Sequence, residues 1–304
     1  MLISFVVPVY NNAADFVGCL QSLQPLLDEG IADVVAVDDG SDMPLVVDSE
    51  GVVVLHLPHR GVAAARNAGL LAATGDFVWF VDADDSIDTD GIDLLFDDLK
   101  KMPDDVPFFH IGRMATVKRT GKYEECGNPD GSRTEDCVPL NLLRPRCSIV
   151  DHTTNIVRRT WLQEHGDLRY PEGMSLLEDT VLSLSVIEAA GRCFANSTYR
   201  FYRHHIYRAS ATAGAWSAER SRRFTVDICR FFGFLGEYCK KHDAEAIMAF
   251  YERYRYVYLR VVAVKGCPTD DLKRVLDCLG PLRRCPRWVY MVFAFMCRLF
   301  RCRK

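Results

Sequence analysis

The chain has 304 residues, 49% of them hydrophobic and 26% charged, with a formal net charge of −4 at pH 7. That length and apolar content suffice for one large domain with an appendage or for two modest domains, and they exclude general disorder. The mildly acidic balance gives no global electrostatic reason to bind nucleic acid, and the 12 cysteines, scattered through apolar stretches without a CxxC pair, read as reduced, buried thiols.

The N-terminal MLISFVVPVYNN is interrupted by Pro8 and Asn11 and lacks a basic leader. It does not read as a signal peptide, so a cytosolic setting is expected. Ile3 to Val7 is a β-branched apolar run that predicts a buried strand of a parallel sheet, stopped by Pro8. Asn11 and Asn12 open a helix in which Phe16, Leu20, Leu23 and Leu27 recur at three- and four-residue steps. A second strand, Val34 to Val37, runs into Asp38-Asp39-Gly40-Ser41, a turn whose carboxylates project from the strand's C-terminal end. Val52 to Leu57 is a third strand. GVAAARNAGLLAATG predicts an alanine-rich helix closed by Gly75, and Phe77 to Val81 an apolar strand that ends in Asp82-Ala83-Asp84-Asp85.

Strands alternating with helices predict an open α/β sheet, in which ligands gather beyond the carboxyl ends of the strands. Both acidic clusters fall on that edge. Further along, the pattern predicts a helix near Gly91 to Lys101, a strand from Phe108 to Met114, and a hairpin or flexible excursion over Thr116 to Asp136. A strand over His152 to Val157, a short helix over Thr160 to His165, a longer helix over Glu178 to Ala189 and a strand over Cys193 to Tyr202 follow. After Thr212 the pattern is almost wholly helical, which sets the expected domains at 1–212 and 213–304.

The DxD spacing of Asp82 and Asp84 would let two carboxylates reach a hard divalent cation that neutralises phosphate oxygens. Aspartates also shape turns and cap helices, and Asp85 fits the cap of the helix that follows. The order of VPVYNN after the first strand, VDDGS after the second and HRGVAAARNAG before the DxD strand is far more specific than any one of them. It resembles the inverting glycosyltransferases of family 2, over roughly residues 1 to 212.

The resemblance implies a GT-A fold, a Rossmann-like α/β architecture with a mixed, mostly parallel sheet flanked by helices. It also implies a nucleotide-diphosphate sugar donor, with a UDP-sugar favoured, and Mg2+ or Mn2+ as cofactor. Carried onto this chain, it has Pro8 and Tyr10 line the base pocket, Asp39 contact the base, Arg66 and Asp82 assist the nucleotide, and Asp84 hold the metal. The pair Glu178-Asp179 corresponds to the family's ED motif, with Asp179 as the base that deprotonates the acceptor hydroxyl and Glu178 positioning the acceptor or capping the helix. His205, in YRHHIYRASAT, becomes a metal or diphosphate contact. Each assignment has a plain structural alternative: a packed tyrosine, a turn-forming aspartate, a surface arginine, an acidic pair complementing a helix dipole, or a core histidine. The chain departs from the family where Arg60 precedes Gly61, a place often held by Asn, which touches the local nucleotide contact.

From Pro281 onward there is no acidic residue, and seven basic ones flank the apolar run Trp288 to Cys297. Ten residues are too few to span a bilayer, but the layout suits either a helix lying on an anionic membrane or one docked on its neighbours. The membrane reading makes a lipid-linked saccharide the acceptor, met at the cytoplasmic leaflet in surface-polysaccharide or glycolipid synthesis; otherwise a soluble saccharide serves. Two competing readings stand beside this one. A sugar nucleotidyltransferase would need a glycine-rich basic phosphate loop that VPVYNN does not offer, and a non-catalytic saccharide- or partner-binding module would have no need of the retained carboxylates.

Overall fold

The computed structural model describes residues 1–111, 113–117, 123–127, 151–190, 195–197, 199–205 and 218–241. In chain order these form β1 (Ile3–Val9), α1 (Ala13–Asp28), β2 (Ala32–Asp38), β3 (Val52–His56), α2 (Val62–Ala72), β4 (Phe77–Phe80), β5 (Ser86–Ile87) and α3 (Asp93–Lys101). There follow β6 (Phe108–His110), β7 (Arg113–Val117), β8 (Tyr123–Gly127), a 3-10 turn (His152–Thr154), β9 (Asn155–Arg158), α4 (Arg159–Glu164), α5 (Glu178–Ala189), β10 (Ala195–Asn196), β11 (Tyr202–His205) and α6 (Ala218–Lys241). The chain divides into two compact units. The first runs to Tyr207 apart from short excursions, and the second takes Met174–Leu177 and the chain beyond Tyr207.

The central sheet of the first unit has the order β10-β6-β9-β4-β1-β2-β3. Parallel pairing joins β1 to β2 and β4, β2 to β3 and β6 to β10, whereas β9 runs antiparallel to both β4 and β6. This is the mixed, mostly parallel sheet expected. Alternation of β and α dictates the parallel half, because a right-handed crossover returns each strand in the same direction. A second sheet, β5-β11-β7-β8, lies in the same unit.

The core is built where the period-2 faces of the strands meet the helices. Ile3, Phe5 and Val7 from β1, Phe16 and Leu23 from α1, and Trp79 from β4 belong to one buried cluster. Each such side chain contributes about 1.5–3 kcal/mol by leaving water. Trp79 is fully buried, tilted against Phe5 at 5.4 Å between centroids, and its indole N–H is satisfied by the Thr153 carbonyl at 2.6 Å.

Several boundaries differ from the sequence expectations, each for a local reason. Pro8 does not stop β1, which continues to Val9 alongside β2. Alternate residues of β1 face β4, and the last such pair is Val6 with Phe80, so the N–H that Pro8 lacks would meet no ladder partner. Gly75 does not close α2, which ends at Ala72 with Ala73 extended. It sits instead where a Cβ would come within 2.7 Å of the Ser4 nitrogen, while the Ser4 hydroxyl accepts from the Thr74 and Gly75 amides.

The single strand expected over Phe108 to Met114 breaks after His110 and resumes in the other sheet at Arg113. β7 and β8 then pair antiparallel, giving the expected hairpin as far as Gly127; the remainder of that stretch lies outside the described residues. His152 to Thr154 form a 3-10 turn rather than the start of a strand, and Cys193 to Tyr202 is replaced by two short strands in different sheets.

In the second unit, Phe224, Ile228, Phe231 and Phe232 recur on one buried side of α6, and buried Asp227 accepts hydrogen bonds from the backbone and hydroxyl of Ser175. Residue 212 and the basic tail 281–304 lie outside the described residues. No described helix is long and apolar enough to cross a membrane.

Candidate active site

The ends of β1, β2 and β4 lie side by side, and their register places Tyr10, Asp38-Asp39 and Asp82-Asp84 along one edge. At the β2 end the two aspartates divide the labour. Asp38 turns inward and accepts hydrogen bonds from the amides of Ser41 and Leu45, each at 2.9 Å, and contacts His56 Nδ1 at 3.1 Å. Burial alone would raise its carboxyl, but these donors outweigh burial and hold it at about 2.

Asp39 is also buried and grips the 59–61 loop. Its two oxygens accept the amides of Arg60 and Gly61 at 2.8 Å each, with His59 Nδ1 at 2.9 Å. Gly40 is required between them. Its φ is +74°, and a Cβ there would lie 2.6 Å from the His59 backbone nitrogen.

The half-exposed Tyr10 stacks on His59, with ring centroids 4.2 Å apart. Asn11, at φ 53°, ties this loop to the next through Ser41 Oγ and Asp42. The result is a flat aromatic pair beside a buried carboxylate.

α2 carries Arg66 into the centre of the site. Its neighbours Ala63, Ala64 and Ala65 are small enough to let the helix approach the sheet, so the guanidinium is buried. NH1 donates to Glu178 Oε1 and NH2 to Asp82 Oδ1, both at 2.7 Å, and the Tyr170 ring lies 5.2 Å from the guanidinium carbon. The adjacent Asn67 fixes Tyr170 by a reciprocal pair of bonds to its backbone. The charge that the sequence reading gave to the nucleotide is thus committed to two carboxylates, one from each acidic motif. One buried cation between them offsets the burial of Glu178 and the partial burial of Asp82.

At the DxD turn, Asp82 is a third exposed, and Asp84 is half-buried with its carboxyl raised to about 6 by burial and by the charges of Asp85 and Asp82. The helix-cap reading of Asp85 is corrected. The residues after it form β5, and its buried carboxylate accepts from the Tyr202 hydroxyl, from the His205 amide at 2.8 Å and contacts His204 Nδ1 at 3.1 Å. The bond to Asp85 pushes His204 up to about 9, against the effect of burial, so it is the charged member of the histidine pair. His205 sits on the other side of β11 with Nε2 at 2.8 Å from Ser86 Oγ, and burial lowers its affinity for a proton.

α5 begins at Glu178-Asp179. The residue before it, Leu177, has φ 67°, a conformation that costs an L-residue about 1–2 kcal/mol and that the surrounding chain must enforce. Asp179 Oδ1 accepts the Thr180 amide at 2.7 Å. Burial, then Glu178 and Asp151, raise the Asp179 carboxyl to about 8, although Arg66 opposes them.

Asp151, His152 and Asp179 form a group of three with potential ligand atoms all within 4.8 Å of one another. Asp84 and His205 belong to no such group among the described residues. His152, Asp151 and Tyr170 were missed in the sequence because they lie between motifs. Their one local sign, Asp151 preceding two threonines that it caps, reads as an ordinary turn.

The sequence profile of "Glycosyl transferase family 2" matches residues 4–166, more than half of the chain. The pre-mycofactocin glycosyltransferase of Mycobacterium tuberculosis is 43% identical over 88 residues, which is 27% of this chain and 17% of that protein. The glycosyltransferase GlyG of Streptococcus pneumoniae is 33% identical over 114 residues, 34% of this chain and 37% of that one. Succinoglycan biosynthesis protein ExoO of Rhizobium meliloti is 24% identical over 217 residues, covering 66% and 60%. The chain therefore spans less than two thirds of the length of each of these relatives.

Among solved structures, S. aureus TarS 1-349 in complex with UDP-GlcNAc shares the fold at a TM-score of 0.62 and 17% identity, covering 99% of this chain and 89% of that one. With the ordered motifs, the mixed sheet and the profile in agreement, the chain belongs to glycosyltransferase family 2.

Proposed function

We propose that this enzyme transfers a sugar from a nucleotide-diphosphate donor, a UDP-sugar, to an acceptor hydroxyl with inversion at the anomeric carbon. The observation that carries the reading is the Arg66 bridge. By holding Asp82 and Glu178 on one guanidinium, it sets the acidic pair of α5 beside the DxD turn, which supports reading Asp179 as a base next to the donor's reacting end. The TarS complexes with UDP-GlcNAc and UDP support a uridine nucleotide on the same fold.

In this reading the base of the nucleotide lies against the Tyr10–His59 pair near Pro8, and Asp39 offers its remaining lone pairs to base N–H groups. Asp84, with Asp82 of the same turn and His205 as a further candidate ligand, would hold Mg2+ or Mn2+; a half-buried carboxyl raised by burial and by its acidic neighbours is a hard oxygen donor suited to such an ion. When bound, the ion supplies neutralisation of the leaving diphosphate.

Asp179 takes the proton of the acceptor hydroxyl as its oxygen bonds to the anomeric carbon, and the bond from that carbon to the diphosphate oxygen breaks with its electron pair. Attack from the face opposite the leaving group inverts the centre. The high proton affinity of Asp179 favours the transfer. Glu178, fixed by Arg66, positions the helix end. The acceptor is a saccharide or a lipid-linked saccharide. The latter rests on the tail 281–304, as does peripheral membrane contact on the cytoplasmic side.

A panel of nucleotide diphosphates and their sugars, with and without Mn2+, read by thermal shift on wild type and Asp84→Ala, tests the donor site. A metal-dependent shift with one nucleotide that disappears in Asp84→Ala supports it. No shift with any of them on a folded sample refutes it.

A further inference from the structure

We propose that His152 is a positioning residue for sugar transfer: it orients the carboxylate of Asp179 against the donor-side Asp82. The proposal rests on the glycosyltransferase reading above. The ring is 5% exposed, with Nδ1 3.9 Å from Asp179 Oδ2 and Nε2 4.0 Å from Asp82 Oδ1. Its two nitrogens thus face the two acidic motifs from one rigid ring. Neither has a hydrogen-bond partner among the described residues, although buried polar atoms are normally paired.

The ring itself is held in place. Asp151 Oδ1 accepts from both the amide and the hydroxyl of Thr153, Trp79 Nε1 donates to the Thr153 carbonyl, and β9 follows at once in register with β4. Phe80 and Tyr170 pack edge-on against the imidazole at 6.1 and 5.7 Å. What can move are the carboxylates, and a shift of about 1 Å brings either within hydrogen-bonding distance.

A neutral imidazole presents one N–H and one lone pair, so it donates to one carboxylate and accepts from a carboxyl or hydroxyl O–H on the other side. Catalytic hydrogen bonds that are long in the free enzyme commonly tighten once substrates bind. Donor bound beside Asp82 would draw that carboxylate onto the ring N–H, leaving the lone pair to accept the Asp179 O–H once Asp179 holds the acceptor's proton, so that donor occupancy sets the aim of the base. The same ring could instead join Asp151 and Asp179 around a cation, and the test separates the two.

His152→Phe, His152→Asn and His152→Gln in the full chain are compared with wild type for nucleotide release in the presence of acceptor. Nucleotide affinity is read by thermal shift, and the ring state by 15N NMR of histidine-labelled protein. The expected result is a fall in kcat of tenfold or more for His152→Phe, with nucleotide affinity within twofold, and partial recovery in the Asn or Gln variant, whose amide restores donor and acceptor. The His152 resonances, identified by their loss in His152→Phe, should report one neutral tautomer and shift in Asp179→Asn.

Unchanged kcat in His152→Phe overturns the proposal, as does an equal loss in all three variants accompanied by a lower melting temperature. Broadening of the His152 signals by one equivalent of Mn2+ in Asp84→Ala favours the cation instead and also overturns it. Wild type that transfers no sugar from any donor refutes the glycosyltransferase reading. The hydrogen bond to Asp179 is then judged by NMR alone, and an unmoved His152 signal in Asp179→Asn rejects it.

Discussion

Replacing Arg66 with methionine removes the cation at the centre of the site. The change keeps much of the side-chain volume but removes the cation that NH1 and NH2 share between Glu178 and Asp82, both at 2.7 Å. Glu178 is 8% exposed and cannot recover its hydration, and breaking a buried pair of this kind costs about 3–5 kcal/mol. Asp82 is 33% exposed, so water screens its share, and less than about 1 kcal/mol is added. At about 2–4 °C per kcal/mol for a unit of this size, melting should fall by roughly 6–24 °C at pH 7.

The pH dependence has a definite sign. Burial would raise the Asp82 carboxyl, but the Arg66 guanidinium holds it below 3.8, so this pairing stabilises the fold above that value. The contribution is lost as pH falls through the folded value, so the gap between wild type and Arg66→Met should narrow below about pH 4 by the Asp82 share. Calorimetry of Arg66→Met, Glu178→Gln and the double variant supplies the coupling. A melting temperature within 2 °C of wild type, or a coupling energy under about 0.5 kcal/mol, would refute the bridge as the organising interaction.

Three further outcomes follow from the site. Asp179→Asn should lower kcat by about 10²–10⁴-fold with donor affinity retained, and the wild-type rate should rise with pH and level off near 8, where the Asp179 carboxyl ionises; steady-state nucleotide release at several pH values reads both. Asp38→Asn should cost about 1–3 kcal/mol at pH 7, because a buried acceptor of two amides is weakened. Since the Asp38 carboxyl is depressed to about 2, that loss should shrink as pH falls from 3.8 toward 2, which urea titration at low and neutral pH can follow. Gly40→Ala should destabilise by about 1–3 kcal/mol and weaken nucleotide binding, since its Cβ must displace the 59–61 loop; calorimetry with UDP measures both effects.

Much of the fold was legible because its determinants are local. The apolar runs at Ile3–Val9, Ala32–Asp38 and Phe77–Phe80 carry their burial in their composition, and the stepwise apolar positions of α1 carry its helical face. The errors came where local signals compete. Pro8 weakens a strand only if its N–H side is paired, and Asp85 caps a helix only if one follows; both conditions depend on neighbouring strands. Phe108 to Met114 reads as one strand, since nothing in its pattern marks the change of sheet after His110.

By itself the sequence determined the α/β class, the order of the motifs and the gathering of Tyr10, Asp39 and Asp82 at the carboxyl edge, because strand direction and turn chemistry are properties of short segments. Only the tertiary structure decided which charges meet. Arg66 reaches Glu178 across 112 positions and Asp82 across 16, His204 reaches Asp85 across 119, and His152 enters the site because β9 inserts antiparallel beside β4. Those pairings follow from the burial of several ionisable groups in one place. Once desolvated, each had to find a partner in space, and distance along the chain did not decide which one.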